Sequence, residues 1–366
     1  KVKNQLKVKN QLKVKNQLKN KIYLMNNKLI KKLFLITAIL VAVILFAWGM
    51  ESFWLTQQND VVDQIRTDDK IFDYRHLLSG QLQDSDEQDY FTVAVMLDNA
   101  YNLPYNAGLD EAHIVYEALV EANITRLLAI FDSKTKLDKI GPVRSARNYF
   151  MDWAEEYSGV YMHVGGSPQA LRVINDYDFV NIDQIGAGEI YFWRDDNLIA
   201  PHNVFTSFSN ILRIGEIKDV PNIKQDFSFW NFVNEEAVED LVNFSINISN
   251  SYYKIDWKFN HSLGYYQRWQ GGDKKVTHTG KQVRANNIII QEVEMFFIDE
   301  ERRGIDAESG GKVTIFNHLG QQNGIWQKKN GRTVFVNEEG NELKLVPGVT
   351  WVEIVDNLAN LSKIVE

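Results

Sequence analysis

The strongest hydrophobic signal in the chain is the stretch from Leu33 to Met50, which only Thr37 and Gly49 interrupt. Its eighteen residues, at about 1.5 Å of rise per residue, are just long enough to cross the roughly 30 Å hydrocarbon core of a bilayer as a helix. Three lysines precede the stretch and Glu51 follows it, which predicts a cytoplasmic N-terminus. Because its end forms a poor cleavage site, we predict a single transmembrane helix over residues 33–50 that acts as an uncleaved signal anchor.

Between residues 91 and 215, compact apolar runs alternate with segments of helical periodicity. The apolar runs predict buried strands at 91–97, 125–131, 160–164 and 179–185. The helical segments lie at 111–122, at 145–157, after Ser167-Pro168, and up to Ile214 with Thr206 or Ser207 as the N-cap. Serine at an N-cap accepts an amide hydrogen bond, and proline at the first helical position loses none. The alternation predicts an α/β N-terminal ectodomain of layered βαβ units.

The chain after residue 230 is rich in strand-like runs. Strands are predicted at 252–259, 264–269, 286–298, 312–316, 324–328, 333–337 and 350–355, with a helix near 235–241. Asn330-Gly331 is a good hairpin turn because both residues tolerate positive φ. We therefore divide the exported part into a polar linker at 51–90, an α/β domain at 91–215, a connection at 216–230 and a mostly β domain at 231–366.

Charge is distributed unevenly along the chain. The formal net charge is −8, yet residues 1–50 contain eleven lysines and no other charged residue, so residues 51–366 carry −19. The first eighteen residues repeat Lys-Val-Lys-Asn-Gln-Leu three times, a polar pattern with no apolar face for a core. We interpret residues 1–32 as a basic cytoplasmic leader and expect translation to start at Met25, which would make 1–24 extraneous. The alternative for 1–24 is a basic solvated tail.

Composition also excludes several classes of function. The acidity of the exported part argues against a nucleic-acid partner. The absence of cysteine excludes disulfides, thiolate metal sites, a cysteine nucleophile and a lipid on an N-terminal cysteine. The chain has no phosphate-binding Gly-Lys-Ser/Thr loop, no Gly-x-Ser-x-Gly elbow and no His-Glu-x-x-His. We accordingly expect no cofactor and no metal.

The densest group of arginines follows a Gly-Pro loop. Arg144 and Arg147 share a face of the helix predicted there or flank its start, and Ser145 can open that helix. Two guanidiniums beside free helix amides would bind a phosphate or carboxylate. Arg126 and Arg194 add positive charge in the same part of an acidic chain. The alternative is that these arginines pair with acids on neighbouring helices.

Polar residues also mark predicted strand ends and loops. Asp98 and His163 each end a predicted strand, and Ser167 follows the glycine turn after His163. Ligands of α/β sheets gather at the carboxyl ends of strands. His202 and Asn203 follow Pro201, which fixes the backbone of their loop. The candidate ligand-binding residues are therefore the four arginines with Ser145, His163, Ser167, His202 and Asn203. Asp98, His163 and His202 are candidates for acid–base catalysis. The alternative for His163 is a packed or capping role.

Several of these segments resemble the YerB-like family of bacterial extracytoplasmic proteins. The matching pieces are 94–99, 115–117, 124–129, Gly141-Pro142-Val143-Arg144-Ser145-Ala146-Arg147, 163–167 and 200–203, with Gly324, Trp326, 347–348 and 350–351 in the second half. The resemblance covers roughly residues 91–357 and implies two domains of unknown function. Many relatives are lipoproteins held by an N-terminal cysteine. This chain lacks the cysteine, has Leu103 where relatives often carry arginine, and has Ala122-Asn123 where they tend to have two glycines.

Three functions fit the residues. The first is a membrane-anchored cell-envelope protein that binds an anionic glycan or peptidoglycan fragment through the arginines and histidines named above. The second is a hydrolase or transferase that acts on an envelope polymer through Asp98, His163 or His202, with arginines stabilising developing negative charge. The third is a structural scaffold for other envelope proteins, in which every arginine would be internally paired.

Overall fold

The computed structural model describes residues 74–84, 90–220, 230–239 and 241–364. The predicted leader, the transmembrane anchor at 33–50 and most of the linker lie outside this range. Of the helices in the described part, none has the length and apolarity to cross a membrane. Residues 221–229 of the predicted connection are also outside the described range, so the domain boundary placed there stays a prediction.

The first half of the described chain alternates strands and helices. Its strands are β1 (Thr92–Asp98), β2 (Ile114–Leu119), β3 (Thr125–Asp132), β4 (Val160–His163), β5 (Val180–Asp183), β6 (Trp193–Arg194) and β7 (Val204–Phe205). Its helices are α1 (Asn148–Glu155), α2 (Pro168–Val173), α3 (Gln184–Ala187) and α4 (Phe208–Ile217). The predicted N-caps are confirmed, since the side chains of Ser167 and Ser207 accept from the amides of Ala170 and Asn210.

The second half contains strands and short 3-10 turns among its described residues. The strands are β8 (Phe244–Asn247), β9 (Lys254–Asn260), β10 (Tyr265–Gln270), β11 (Asp273–Lys274), β12 (Arg284–Ala285), β13 (Asn287–Glu292), β14 (Met295–Phe297), β15 (Arg303–Ile305), β16 (Gly311–Asn317), β17 (Gly320–Lys329), β18 (Arg332–Val336), β19 (Thr350–Val355) and β20 (Leu361–Lys363). Asn330 and Gly331 form the predicted hairpin turn between β17 and β18, with φ of 53° and 76°.

One ten-stranded sheet runs through both halves, in the order β18-β17-β16-β13-β19-β2-β3-β1-β4-β5. Strands β1, β4 and β5 are parallel, whereas β2, β3 and β1 pair antiparallel. Strand β19 lies parallel to β2 on one side and to β13 on the other. The described residues accordingly belong to one compact unit, which spans Asp73–Glu366. A second sheet, β11-β10-β9-β8-β20 with β12 on β10, packs beside it.

The central strands are buried on both faces. Val93, Val95 and Leu97 of β1 pack with α4 and the second sheet, whereas Ala94 and Met96 point to the opposite face, where α1 packs. A strand covered on both faces has no polar side and reads as a continuous apolar run, which is why the sequence pattern identified β1, β3 and β4.

The same property explains the main error in the predicted elements. The helix predicted at 111–122 is wrong, because Ile114–Leu119 forms strand β2, buried along its whole length in the centre of the sheet. A doubly covered strand is apolar at every position, so it also satisfies helical spacing. The helix near 235–241 is wrong as well, since residues 235–239 and 241 are not helical. Helix α1 begins at Asn148, three residues later than predicted, because the segment before it is extended.

Candidate functional site

The segment after Gly141-Pro142 is an extended connector, and it carries the arginines to the carboxyl edge of the parallel strands. Val143 pairs with Leu97 at the end of β1. The amide of Arg144 donates to the Met96 carbonyl at 2.9 Å, and the Arg144 carbonyl accepts from Val164 at 3.0 Å. The backbone of Arg144 is therefore fixed between the ends of β1 and β4.

Asp98, at the carboxyl end of β1, holds two basic side chains. Its Oδ2 lies 2.5 Å from Nδ1 of His202 and 3.2 Å from Nε of Arg144. Arg144 also donates from Nη1 to the Pro201 carbonyl at 2.9 Å, which ties it to the loop that carries His202. The side chain of Asp98 is 3% exposed and that of His202 is 32% exposed. His202 therefore has one ring nitrogen on a buried carboxylate, and its Nε2 has no hydrogen-bond partner among the described residues.

Arg126 is buried beside this group without a counter-ion. It is 4% exposed and donates from Nη1 to the Ser145 carbonyl at 2.9 Å. Within the described chain, no carboxylate lies within the 4.0 Å salt-bridge distance of its guanidinium. Burial, together with repulsion from Arg147 and Arg144, lowers the pKa of Arg126 to about 10. An uncompensated buried cation is unfavourable, and a bound anion would relieve it.

Arg147 has a carboxylate partner. Its Nε and Nη2 donate to the two carboxylate oxygens of Glu121 at 2.7 and 2.6 Å. This ion pair, with burial opposing it, lowers the pKa of Glu121. We call Arg126, Arg144 and Arg147 the basic cluster. Against these three cations stand two carboxylates, those of Asp98 and Glu121, so the group carries one excess positive charge.

A cavity of about 190 Å³ adjoins the basic cluster at Arg147. Its wall includes Glu121 and Ser167 from the first half and Phe296, Arg302 and Arg303 from the hairpin of β14 and β15. Sequence analysis missed this contribution of the second half. The adjacent arginines at 302 and 303 were a visible signal, but nothing in their local pattern indicates that the hairpin packs against the N-terminal half.

The other predicted site residues lie away from the basic cluster or have structural roles. His163 is fully buried, with Nδ1 2.7 Å from the Gly165 carbonyl and Nε2 2.7 Å from Oδ1 of Asn181. Ser167 caps α2 while lining the cavity, and Ser145 offers its carbonyl to Arg126 instead of opening a helix. Exposed Arg194 donates to Oδ1 of Asn203 at 2.8 Å.

A second buried charge network lies between the two sheets. Arg268 donates to Oε2 of Glu117 at 2.6 Å, and both side chains are fully buried. Glu353 lies beside Glu117 in the pairing of β19 with β2, and burial and the Glu117 charge raise its pKa. Lys275 donates to Oδ1 of Asn99 at 2.8 Å, and burial lowers its pKa to about 7. Glu117, the one charged residue in the apolar run 114–120, was the sequence signal that could have indicated this network.

The comparisons with known proteins agree with the two-part organisation. The N-terminal and C-terminal domains of the family described as "Protein of unknown function (DUF3048)" match residues 78–220 and 244–352. "Putative lipoprotein YerB" of Bacillus subtilis strain 168 is 35% identical over 284 residues, which cover 74% of this chain and 83% of that protein. The crystal structure of the YerB protein from Bacillus subtilis matches with a TM-score of 0.72 at 32% identity, over 80% of this chain and 99% of that one.

These matches confirm the resemblance drawn from the sequence motifs. They also agree with a mixed α/β N-terminal domain followed by a mostly β C-terminal domain, which here share one sheet. Neither family description assigns an activity, and the name of the relative states an attachment to lipid and no reaction. On the extent and identity of the matches, this chain belongs to the DUF3048 family, together with YerB.

Proposed function

We propose that this protein is an extracytoplasmic component of the bacterial cell envelope, held at the membrane, that binds an anionic ligand at the basic cluster. The ligand class is a glycan or peptidoglycan fragment that carries a carboxylate or phosphate. The observation that carries the proposal is Arg126, buried and without a carboxylate partner among the described residues. A ligand anion would supply the missing negative charge and accept hydrogen bonds from guanidinium groups, which favour carboxylate and phosphate.

The attachment to the membrane rests on two supports. The relative YerB is named as a lipoprotein, and the apolar stretch at 33–50 with its lysine flank has the length and charge of a signal anchor. In this proposal the helix replaces the lipid, and residues after 50 face the outside of the cell.

Binding measurements with charge-neutral variants test the basic cluster. The purified chain would be titrated with uronic-acid glycans, phosphorylated glycans and peptidoglycan fragments, with affinity measured by calorimetry. A hydrogen bond to a charged group contributes about 1.5–3 kcal/mol, so Arg126→Gln should weaken binding by about 10-fold or more. Arg213→Gln, at an exposed arginine of α4, is the matched control and should leave affinity unchanged. Equal affinity in Arg126→Gln and the parent chain would reject the assignment.

A second candidate function is acid–base catalysis by Asp98 and His202. A buried carboxylate on Nδ1 of a partly exposed histidine holds the ring in one orientation, and the 2.5 Å contact between Asp98 and His202 has this arrangement. His163 is not available for the role, because protein groups occupy both of its nitrogens. If an envelope polymer is hydrolysed, His202→Ala should abolish turnover, and Asp98→Asn should lower it because the ring loses the carboxylate that orients it. Turnover in His202→Ala equal to the parent would exclude this candidate.

A scaffold function finds less support. Arg147 and Arg268 are internally paired, as a scaffold requires. Arg126 has no such pair among the described residues, and this is the feature that favours a ligand.

A further inference from the structure

Three metal-ligating side chains converge at a place that the proposed function does not use. Nε2 of His76 lies 3.1 Å from Oδ2 of Asp132, and Nε2 of His113 lies 2.8 Å from the same oxygen. All three atoms lie within 4.8 Å of one another. Among the described residues this is the one such group of three or more His, Cys, Asp or Glu side chains.

The three side chains are held by different parts of the fold. His113 precedes β2, and its amide donates to the Ile130 carbonyl at 2.9 Å. Asp132 ends β3, and its Oδ1 accepts from the amides of Lys134 and Thr135, at 2.8 Å each. The ring of His76 stacks on Tyr90 with 4.5 Å between ring centres. These contacts orient the carboxylate so that Oδ2 alone faces the two imidazoles.

From this convergence we infer that His76, His113 and Asp132 bind a divalent transition metal, with Zn²⁺ as the best match. Two imidazole nitrogens and one carboxylate oxygen form a donor set that zinc and non-haem iron proteins use with open positions for water. Ligand bonds of about 2.0–2.2 Å at tetrahedral or octahedral angles place donor atoms roughly 3 Å apart. The two nitrogen-to-oxygen distances already have this value.

Metal binding requires a free lone pair on Nε2 of each imidazole. In the metal-free state Leu78 donates its amide to Nδ1 of His76 at 3.3 Å, so Nε2 of that ring carries the proton that Asp132 accepts. With metal on Nε2, the single ring proton of His76 moves from Nε2 to Nδ1, and the hydrogen bond from Leu78 is lost. The lost hydrogen bond at Nδ1 is long, at 3.3 Å, and the new metal–nitrogen bond at Nε2 compensates for its loss. The metal would also fasten the segment 74–84 to the sheet.

The metal site is remote from the basic cluster. Asp132 pairs with Thr92 at one end of the β1–β3 ladder, and Arg126 pairs with Asp98 at the other. Arg126 and Asp132 are six residue steps apart along β3, which is about 20 Å at roughly 3.3 Å per residue. Loss of metal binding and loss of anion binding are therefore separable results.

Titration of the full chain with Co²⁺ and Zn²⁺ tests the inference. The chain is stripped with a chelator and then titrated, with Co²⁺ absorption reporting coordination and elemental analysis reporting stoichiometry. We expect one metal per chain and a rise in Tm with Zn²⁺, because a ligand that binds only the folded state stabilises it. Failure of the parent chain to retain either metal after desalting would overturn the inference.

Variants then identify the ligands. Removal of groups that merely orient a ligand weakens metal affinity by about 10–100-fold, so Asp132→Asn and His113→Gln should each weaken it by about 100-fold or more. His76→Gln is included because His76 lies outside the strands of the sheet, so this substitution should disturb folding least. A cooperative thermal transition of each metal-free variant shows that it is folded. His261→Gln, at an exposed histidine, is the control and should bind like the parent. Parent-like affinity in all three ligand variants would show metal bound elsewhere and reject this site.

Discussion

Buried cations in this chain differ in what surrounds them. Arg268 has the Glu117 carboxylate at 2.6 Å. Lys275 has the amide oxygen of Asn99 and a lowered pKa. Arg126 has the backbone carbonyl of Ser145 and the repulsion of two further arginines. The first arrangement is an internally neutralised pair, whereas the last leaves a charge that has no carboxylate partner among the described residues.

This difference predicts opposite effects of the same substitution. Arg126→Met should raise the free energy of unfolding of the ligand-free protein, because it removes a buried charge that has no carboxylate partner among the described residues. Arg268→Met should lower it by about 3–5 kcal/mol, because the Glu117 carboxylate is left buried and unpaired. Urea unfolding of both variants measures the two values. A loss of stability in Arg126→Met as large as that in Arg268→Met would contradict the unpaired state of Arg126.

Lys275 predicts a pH dependence of stability. Burial lowers its folded pKa from 10.5 to about 7, so between about pH 7 and 10.5 the unfolded chain binds more protons and stability rises with pH. Lys275→Met should therefore exceed the parent in stability most at pH 6, and the difference should shrink by pH 9. Denaturant midpoints at both pH values measure it. Lys274→Met, at the exposed neighbour, should show no such change, and an equal pH response in both variants would refute the prediction.

The types of residue at the site were predictable from the sequence, but their partners were not. The Gly-Pro loop indicated Arg144, the end of a predicted strand indicated Asp98, and the loop after Pro201 indicated His202. The contact between Asp98 and His202 joins residues 104 positions apart, and no local pattern encodes it. His76 and Asp132 were not predicted as metal ligands for the same reason. They lie 56 positions apart in the sequence, and only the fold brings their side chains together.

At the scale of elements, prediction depended on whether a segment has a polar side. The hairpin of β17 and β18 was found because Asn330-Gly331 interrupts two strand-like runs. Strand β2 was mistaken for a helix because both of its faces are covered. Residues 145–147 were mistaken for the start of a helix because their extended form depends on hydrogen bonds of Ala146 with Gly165 and Ser167, which lie in the loop after β4.

The hairpin turn gives a prediction at this scale. Gly331 has φ of +76°, and an added Cβ would meet nothing within 4 Å. Gly331→Ala should therefore lower stability by about 1–2 kcal/mol through backbone strain alone. Thermal unfolding measures the loss. Gly186→Ala is the control, since its Cβ also meets open space at an ordinary φ, and it should not reduce Tm. A parent-like Tm for Gly331→Ala would mean that the turn differs from the one described.

At the scale of the whole molecule, two family domains share one sheet. Strand β19 from the second half fills the position between β2 and β13, so neither half completes its own hydrogen-bonding ladder. The sequence indicated where the alternating strand and helix pattern ends and the strand-rich pattern begins. It could not indicate that strands from both sides of that boundary are neighbours, because sheet order is a long-range property.

The shared sheet predicts a single unfolding transition. The full chain should unfold with coincident changes in tryptophan fluorescence and far-ultraviolet circular dichroism. A fragment of residues 74–220 would expose the edge of β2, which β19 normally covers, and should be unfolded or aggregated in size-exclusion chromatography. A monomeric fragment with its own cooperative melt would show instead that the first half is autonomous.

The central position of β19 in the sheet also has a consequence for folding during protein synthesis. The ladder that pairs Thr350 with Ile114 cannot form until synthesis has passed residue 350. Until then the nascent first half presents an apolar, unpaired strand edge, the kind of surface that invites association with other chains. Synthesis of this protein therefore includes an interval in which the edge of β2 is exposed, and a chain that ends before residue 350 would lack β19 and keep this edge exposed.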